Sequence, residues 1–229
     1  MAGQSKTRLS PPLTPAECAE LSASFIRDLA ATIDGLARDA GVQPYAIFTP
    51  IGTEDTLRSL LPTRFRLLPQ STGDLGSRLL NTTVELLSAG HAGAILVNAD
   101  SPTLPRAILS AAVDAVRGAD GVVLGPAMDG GYTLIGLSRA HAHLFEDIPW
   151  STSQVYRLTA ARAADLGLPV VSVPRWYDVD DRESLDLLQA ELRGETLPFA
   201  EPGLYGEPAA VTRRFLARRN APLPVETGR

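Results

Sequence analysis

Short apolar runs that alternate with longer amphipathic segments are the feature that most constrains the fold of this 229-residue chain. The runs are rich in β-branched and aromatic residues, as strands are, and the segments between them repeat apolar residues at helical spacing. We predict strands at 45–50, 65–69, 93–100, 121–126, 132–137 and 169–173, and helices at 15–40, 53–61, 73–90, 104–118, 152–167 and 181–194. This alternation predicts an α/β fold with a mostly parallel sheet between two layers of helices. The run at 93–100 is nearly continuously apolar and ends in an acid, which predicts a central parallel strand that is covered on both faces.

A change in composition near residue 195 sets the predicted domain boundary. Residues 1–194 form the predicted α/β domain. Residues 195–229 are rich in Pro and Gly and include one amphipathic stretch, which predicts a C-terminal arm with one short helix. Arginines on this helix could pack on a second copy, so the sequence is compatible with a homodimer.

Charge and apolar content exclude several classes of function. A net charge of −5 gives no general basic surface for nucleic acids or anionic membranes. No stretch approaches the roughly 20 apolar residues that a membrane-spanning helix needs, and the N-terminus lacks the apolar region of a secretory signal. The single cysteine, Cys18, leaves no internal disulfide. We therefore expect a cytoplasmic protein that binds neither nucleic acid nor membrane.

Acidic residues follow two of the predicted strands. Ligands of α/β sheets bind beyond the carboxyl ends of the strands, so these positions are candidate site residues. Asp100 lies in "NADSPTLP", and Asp178 and Asp180 lie in "RWYDVDD". Carboxylates that meet at this edge would form an oxygen site that suits Mg²⁺ or Mn²⁺. Alternatively, Asp100 merely caps the following helix, as Asp181 is expected to do for its own.

Two glycine-containing loops follow other strands at the same edge. The loop "GDLGSR" (73–78) places backbone amides and Arg78 at the start of a helix, where an anion or a base edge can bind. In "PAMDGGY", Asp129, Gly130 and Gly131 permit a tight turn and the close approach of a ligand. A hairpin turn that binds no ligand would use the same residues.

Lys6 is the only lysine of the chain, since the other twenty basic residues are arginine. A flexible ammonium group can follow a phosphate whose charge shifts during transfer, whereas a guanidinium imposes a planar fork. This favours contact between Lys6 and a phosphate group. The alternative is a solvated surface lysine without a binding role.

The motifs "GDLGSRL", "NADSPTL", "GPAMDGGYTLIGL", "IPWST" and "YDVDD", in this order and spacing, resemble the DUF2064 family. Its members are often called rSAM/selenodomain-associated transferase 1 or glycosyltransferase-A-like proteins, within the nucleotide-diphospho-sugar transferase superfamily. The resemblance covers roughly residues 3–190. It implies a three-layer α/β/α GT-A fold, a nucleotide-activated donor and a divalent metal.

The segment "GQSKTRL" resembles the end of the family's phosphate loop, with Gly3, Lys6, Thr7 and Arg8 in matching positions. Met1 falls inside this loop, so the family's first strand, which is normally central in the sheet, is expected to be missing. Either the start was assigned too far downstream, or the protein has lost part of its nucleotide pocket. In the second case it would be a non-catalytic protein that binds a nucleotide or a partner.

The residues and the resemblance together predict metal-dependent transfer from a nucleotide-activated donor to a small-molecule acceptor. Nucleotidyl transfer from an NTP is favoured because the segment around Lys6 supplies cations, and glycosyl transfer from an NDP-sugar is the alternative that the family's usual label favours. The predicted catalytic residues are Lys6, Arg8 and Asp100, and the predicted ligands of Mg²⁺ or Mn²⁺ are Asp100 and Asp180. The predicted nucleotide-binding residues are Gly3, Thr7, Gly73, Asp74, Gly76, Arg78, Asp129, Gly130 and Gly131.

Overall fold

The computed structural model describes residues 6–118 and 120–220, and it shows the predicted alternation of strands and helices. The helices are α1 (Pro15–Ala40), α2 (Glu54–Arg58), α3 (Leu75–Ser88), α4 (Arg106–Gly118), α5 (Val155–Asp165), α6 (Arg182–Leu192) and α7 (Ala210–Asn220). The strands are β1 (Tyr45–Phe48), β2 (Arg66–Pro69), β3 (Ala94–Val97), β4 (Val122–Pro126), β5 (Tyr132–Leu137) and β6 (Val170–Ser172). Short 3-10 turns form at Thr7–Leu9 and Ala142–Phe145. The predicted α/β class is confirmed.

Helix α1 shows how local sequence sets the bounds of an element. The Thr14 hydroxyl accepts a hydrogen bond from the Glu17 amide, and the Glu17 carboxylate accepts one of 2.7 Å from the Thr14 amide, which together form a capping box. Gly41 ends the helix with φ 63°, a left-handed conformation that favours glycine. Although α1 has 26 residues, neither it nor any other helix in the described ranges is long and apolar enough to cross a membrane.

The main sheet contains four strands in the order β3–β5–β4–β6. Strand β5 runs antiparallel to both of its neighbours, whereas β4 and β6 are parallel. Three of the four strands therefore run in the predicted common direction, and β5 is the exception. The reason is the short 127–131 connection, which can form a hairpin but is too short for the crossover that parallel strands require.

The sheet is covered on both faces, which gives the predicted three layers. Val123 packs into a core with residues of α1, α4, α6 and α7. Its neighbours Val122 and Leu124 pack into a second core with residues of α5 and the 144–148 segment. Successive residues of a strand point to opposite faces, so the two cores lie on opposite sides of the sheet.

A large cavity separates β3 from the parallel pair formed by β1 and β2. Its volume is about 1480 Å³, and it is lined by β1, β3 and apolar residues of α1, α3 and α4. Among the described residues, β3 pairs only with β5, and its residues 95–97 are half-buried. The prediction of a fully covered central strand at 93–100 is therefore wrong. The fully buried central strand is β5, because it has neighbours on both edges whereas β3 borders the cavity.

Helix α7 packs on α1 through a buried carboxylate. Asp28 of α1 accepts hydrogen bonds of 2.9 Å from the Val211 amide and 2.7 Å from the Thr212 amide. These amides lie in the first turn of α7, where they have no partner within the helix, so Asp28 caps α7 from a neighbouring element. Two ion pairs follow along the same contact, Arg218 with Glu20 and Arg219 with Glu17.

Candidate active site at the carboxyl edge of the sheet

The side chain of Lys6 lies at the centre of the candidate site. Its ammonium nitrogen is 2.8 Å from Oδ1 of Asp100, 2.8 Å from Oδ1 of Asp180 and 2.6 Å from the carbonyl oxygen of Val179. Only 5% of the side chain is exposed, and the ammonium lies 5.6 Å from the ring centroid of Phe25. The ammonium donates hydrogen bonds to Asp180 and to the Val179 carbonyl, and it forms an ion pair with Asp100. The alternative of a solvated surface lysine is excluded by this burial.

The two aspartates reach this point from distant segments of the chain. Asp100 follows β3, and its carbonyl oxygen accepts a 2.9 Å hydrogen bond from the Val179 amide. Asp180 precedes α6, and its amide donates a 3.0 Å hydrogen bond to the Ser184 hydroxyl. Asp181 accepts a hydrogen bond from the Ser184 amide and caps α6, as predicted. The turn before α6 thereby fixes the backbone that carries Asp180.

Two further carboxylates surround this pair. Burial is the main cause of a raised pKa of about 6 at Asp178, and the negative charges of Asp129, Asp180 and Asp100 contribute to the same shift. Asp129 comes from the hairpin between β4 and β5, so three loops supply acidic groups to one region. With Lys6 as the cation among them, the cluster carries an excess of negative charge and attracts cations.

The donor set around the Lys6 ammonium fits a hard divalent cation. Two carboxylate oxygens and one carbonyl oxygen converge on a single positive group, and oxygen atoms are the ligands that Mg²⁺ and Mn²⁺ prefer. In the described ranges, no group of three or more His, Cys, Asp or Glu side chains could hold a metal. A cation here would therefore be coordinated by the carboxylates of Asp100 and Asp180 together with oxygen atoms of the bound ligand. This is the usual way that Mg²⁺ binds beside phosphates.

The turn 129–131 is the tip of the β4–β5 hairpin. The Asp129 carboxylate accepts a 2.8 Å hydrogen bond from the Gly131 amide, and the Gly131 carbonyl accepts one of 3.0 Å from Ala127. Gly130 has φ 89°, and a Cβ atom there would lie 2.2 Å from the carbonyl oxygen of Ser153. Gly130 is required by its left-handed φ and by its contact with the Ser153 backbone, whereas a Cβ atom at Gly131 would meet only the side chain of Asp129. The turn also holds Asp129 beside Asp178.

The loop 73–78 lies at the N-terminus of α3 and faces the cavity. Asp74 caps the helix by accepting a 2.8 Å hydrogen bond from the Ser77 amide, and its hydrogen bonds to Ser77 lower the pKa of Asp74. Arg78 lines the cavity and donates a 2.8 Å hydrogen bond to the Gly73 carbonyl. Gly76 is buried, and a Cβ atom there would lie 3.0 Å from Trp150. Gly76 is therefore a packing residue, whereas Arg78 is accessible to a ligand.

The remaining predicted residues lie on the N-terminal segment. Arg8 is exposed in the first 3-10 turn and adds a small effect to the lowered pKa of Asp181, whose main cause is the hydrogen bond from the Ser184 amide. Arg8 therefore lies near the aspartates as an exposed cation. Gly3 lies outside the described residues, and so does the side chain of Thr7.

Sequence patterns predict Lys6, Asp100 and Asp180 as site residues, but they do not predict the ion pairs between Lys6 and the two aspartates. Lys6 was expected at phosphates, with a metal between Asp100 and Asp180, whereas the structure places the ammonium itself between the two carboxylates. No sequence pattern indicates the role of the Val179 carbonyl oxygen, because every residue has a backbone carbonyl group. Phe25 belongs to the apolar stripe of α1, which predicts burial but not its position beside a cation.

Comparison with known proteins agrees with this architecture. In fold, the chain is similar to a crystal structure from Desulfovibrio desulfuricans G20 that is described provisionally as a nucleotide-diphospho-sugar transferase. The TM-score is 0.79 and the identity 24%, over 96% of this chain and 90% of that chain. A match at this level of identity supports the three-layer fold. No curated protein matches the sequence.

The family profile described as "Uncharacterized protein conserved in bacteria (DUF2064)" matches residues 32–152, which is more than half of the chain. The matched range includes the loop 73–78, Asp100 and the hairpin turn 129–131. The predicted resemblance is thereby confirmed, and the chain belongs to the DUF2064 family.

Proposed function

We propose that the protein is a transferase that acts on a nucleotide-activated donor with the help of a divalent cation. The observation that carries this proposal is the convergence of Lys6, Asp100 and Asp180 at the carboxyl edge of the sheet. This is the edge where α/β sheets bind their ligands. The convergence joins segments that are distant in sequence, and helix capping alone would not require it.

Asp100 and Asp180 would hold Mg²⁺ or Mn²⁺, because they supply the two carboxylates of the donor set. When bound, the ion would neutralise the negative charge of the donor's phosphates. Asp129 and Asp178 add negative charge around the ion without contacting Lys6. The exposed cation Arg8 lies close enough to meet the outer oxygens of a phosphate chain.

The carboxyl end of the cavity beside β3 offers room for the donor. At the carboxyl edge it is lined by Gln70, Arg78, Asn98 and Ala99, which lie between the loop 73–78 and Asp100. A nucleotide placed here would have its base over the N-terminus of α3 and its phosphates directed towards Lys6 and Arg8. The helix N-terminus and Arg78 both favour an anionic or electronegative group.

Catalysis at such a site would depend on positioning and on neutralisation of charge. An acceptor oxygen would attack the electrophilic atom of the donor in line with the departing phosphate group, and no covalent bond to the protein is required. Lys6 and Arg8 would stabilise the charge that develops on the leaving phosphate oxygens.

Two transfer chemistries fit this site. In nucleotidyl transfer the acceptor attacks the α-phosphorus of an NTP and pyrophosphate leaves, which suits the cationic segment around Lys6 and Arg8. In glycosyl transfer the acceptor attacks the anomeric carbon of an NDP-sugar and the NDP leaves. The description of the Desulfovibrio protein favours this second chemistry for a chain of the same fold.

A thermal-shift panel of NTPs, NDPs and NDP-sugars, each with and without Mg²⁺ or Mn²⁺, tests the proposal. A ligand at 100 times its dissociation constant stabilises the folded state by about 2.7 kcal/mol. Metal-dependent stabilisation by one NTP would support nucleotidyl transfer, and stabilisation by an NDP and its sugar would support glycosyl transfer. Binding without turnover of any acceptor would support a non-catalytic nucleotide-binding protein. No shift with any member of the panel would contradict the proposed function.

A further inference from the structure

The contacts of Lys6 in the described structure conflict with a fixed role at phosphates. The ammonium donates hydrogen bonds to Asp180 and to the Val179 carbonyl and forms an ion pair with Asp100, at distances of 2.6–2.8 Å. Because only 5% of the side chain is exposed, a phosphate could reach the ammonium only after Lys6 had moved away from these groups. The same ammonium also occupies the point on which the two carboxylates converge. A divalent cation and the Lys6 ammonium therefore cannot share this point.

We infer that Lys6 is an exchangeable internal cation, and this inference rests on the proposed function. Without ligand, Lys6 holds Asp100 and Asp180 together. Lys6 leaves the two carboxylates when a divalent cation binds between them, and it then contacts the phosphates of the donor. Metal binding and nucleotide binding would thus be coupled through one side chain. The metal alone would bind weakly, because it competes with an ammonium that makes two hydrogen bonds and ion pairs with both carboxylates.

The backbone of Lys6 is compatible with such a movement. Lys6 has φ 54°, a left-handed conformation that costs a residue with a side chain about 1 kcal/mol. The contacts of the ammonium offset this strain in the described conformation, and the side chain can move by rotation about its own bonds. The next residues are anchored independently, since Leu9 and Leu13 are fully or almost fully buried. The side chain can therefore leave the carboxylates while the chain after it stays in place.

Charge balance favours exchange over simple loss of the lysine. If Lys6 left without a replacement, Asp100 and Asp180 would face each other with no cation between them. Like charges at this separation repel strongly in a partly buried site. A divalent cation restores the balance and frees the ammonium for the added negative charge of the phosphates.

The test uses the fact that Lys6 is the only lysine in the chain. Acetylation by N-hydroxysuccinimidyl acetate, assigned to the lysine side chain by tandem mass spectrometry, reports the accessibility of this one ammonium. In the wild-type protein we expect slow acetylation without additions. We expect acetylation to accelerate about tenfold or more as Mn²⁺ fills the site, and to slow again when an NTP or NDP-sugar from the panel binds with Mn²⁺. Mn²⁺ binding that leaves the acetylation rate unchanged would overturn the inference.

A matched pair of variants provides a second measurement. Lys6→Met removes the competing charge, and we expect Mn²⁺ alone to bind at least tenfold more tightly in an electron paramagnetic resonance titration, which corresponds to about 1.4 kcal/mol. Lys6→Arg keeps a cation near the carboxylates and should bind Mn²⁺ no more tightly than the wild type. Equal affinity of Lys6→Met and the wild type, or no Mn²⁺ binding by either, would refute the exchange. If Lys6→Met does not fold, the acetylation experiment on the wild type still decides.

The two experiments separate this inference from the proposed function. A nucleotide that binds with Mn²⁺ while Lys6 remains unreactive throughout would leave the proposed function standing and refute the exchange. A Mn²⁺-dependent change in Lys6 reactivity without any nucleotide binding would support the exchange and contradict the proposed function.

Discussion

The carbonyl oxygen of Asp100 accepts a 2.9 Å hydrogen bond from the amide of Val179, which joins the loop after β3 to the segment before α6. This bond uses the backbone of both residues, so it does not depend on the Asp100 carboxylate. It brings the side chains of Asp100 and Asp180 to one point. A substitution that removes the Asp100 carboxylate should therefore change the charge of the site without changing the arrangement of the two loops.

Replacing Asp100 by alanine should abolish metal-dependent nucleotide binding and leave the fold intact. The backbone hydrogen bond to Val179 remains, whereas the site loses one of its two carboxylates. We expect the stabilisation that Mn²⁺ adds to an NTP or NDP-sugar in the thermal-shift panel to disappear in Asp100→Ala. The circular dichroism spectrum should match that of the wild type.

Asp114→Ala is the control for this variant, because Asp114 is an exposed carboxylate on α4, away from the site. It changes the net charge by the same amount and should keep the metal-dependent stabilisation. Unchanged metal-dependent affinity in Asp100→Ala would remove Asp100 from the site.

Asp178 should make the free energy of unfolding depend on pH. Its pKa is about 6 in the folded protein and 3.8 for an unperturbed group, so the folded state holds the proton more tightly than the unfolded state. Stability is therefore lost as pH rises from about 4 to about 6, and the loss is complete above that range. Asp178→Asn removes the penalty and should raise the free energy of unfolding at pH 7.5 by up to about 3 kcal/mol.

Urea unfolding of the metal-free protein at pH 4 and pH 7.5 checks this expectation. The difference between Asp178→Asn and the wild type should be largest at pH 7.5 and small at pH 4, where Asp178 is mostly neutral. Asp114→Asn should show no such dependence. A stability difference that is the same at both pH values would contradict the raised pKa.

The elements of this fold could be predicted because their signals are local. Helix α1 begins and ends at the predicted residues, since Thr14, Pro15 and Gly41 determine its ends through nearby contacts. Each predicted strand is present within a few residues of its expected bounds. The acidic residues after the strands and the glycines of the 129–131 turn were also visible as short motifs.

Contacts between distant segments could not be predicted in the same way. Lys6 and Asp180 are 174 residues apart, and no local pattern predicts that their side chains meet. Similarly, the apolar sequence of β3 predicts a strand but not how many neighbours it has. Strand order results from the packing of the whole sheet, so only the structure shows that β5 runs in the reverse direction and that, within residues 6–118 and 120–220, β3 pairs with β5 alone.

Gly130 and Gly90 provide a test of the hairpin contact. The two glycines have nearly equal φ values, 89° and 90°, so an alanine at either position has similar backbone strain. A Cβ atom at Gly130 would lie 2.2 Å from the Ser153 carbonyl oxygen, whereas a Cβ atom at Gly90 would point into open space. Gly90→Ala should cost about 1 kcal/mol, and Gly130→Ala at least about 3 kcal/mol because the clash adds to the strain. An equal decrease of the free energy of unfolding in both variants would show that the Ser153 backbone can move away from the added methyl group at little cost.

Asp28 should determine whether the C-terminal helix stays on the domain. Asp28→Ala leaves the amides of Val211 and Thr212 without their acceptor, and hydrogen bonds to a charged group contribute about 1.5–3 kcal/mol. We expect a loss of about 2 kcal/mol or more in urea unfolding and faster tryptic cleavage after Arg213 and Arg214. Glu20→Gln, which removes only an exposed ion pair, should cost less than about 1 kcal/mol. Equal cleavage rates in both variants would contradict a capping role for Asp28.

The cavity between β1 and β3 should accept an added strand. Both edges border an apolar space of about 1480 Å³, and packed protein interiors rarely contain a cavity of this size. An extended segment laid between the two strands could pair with both edges and would reach Lys6 at the carboxyl edge. We expect an N-terminal extension of β-branched residues to raise the melting temperature, because it buries apolar surface and pairs free backbone groups.

An extension of the same length that is composed of Gly and Ser is the matched control, since it adds chain without apolar side chains or strand propensity. Hydrogen exchange locates the effect: the amides of Ile47 in β1 and Val97 in β3, which point away from β2 and β5, should become more protected with the β-branched extension only. The same melting temperature and the same exchange rates with both extensions would show that the cavity does not bind a strand. Protection of β3 alone would show that the segment pairs with one edge and leaves β1 open.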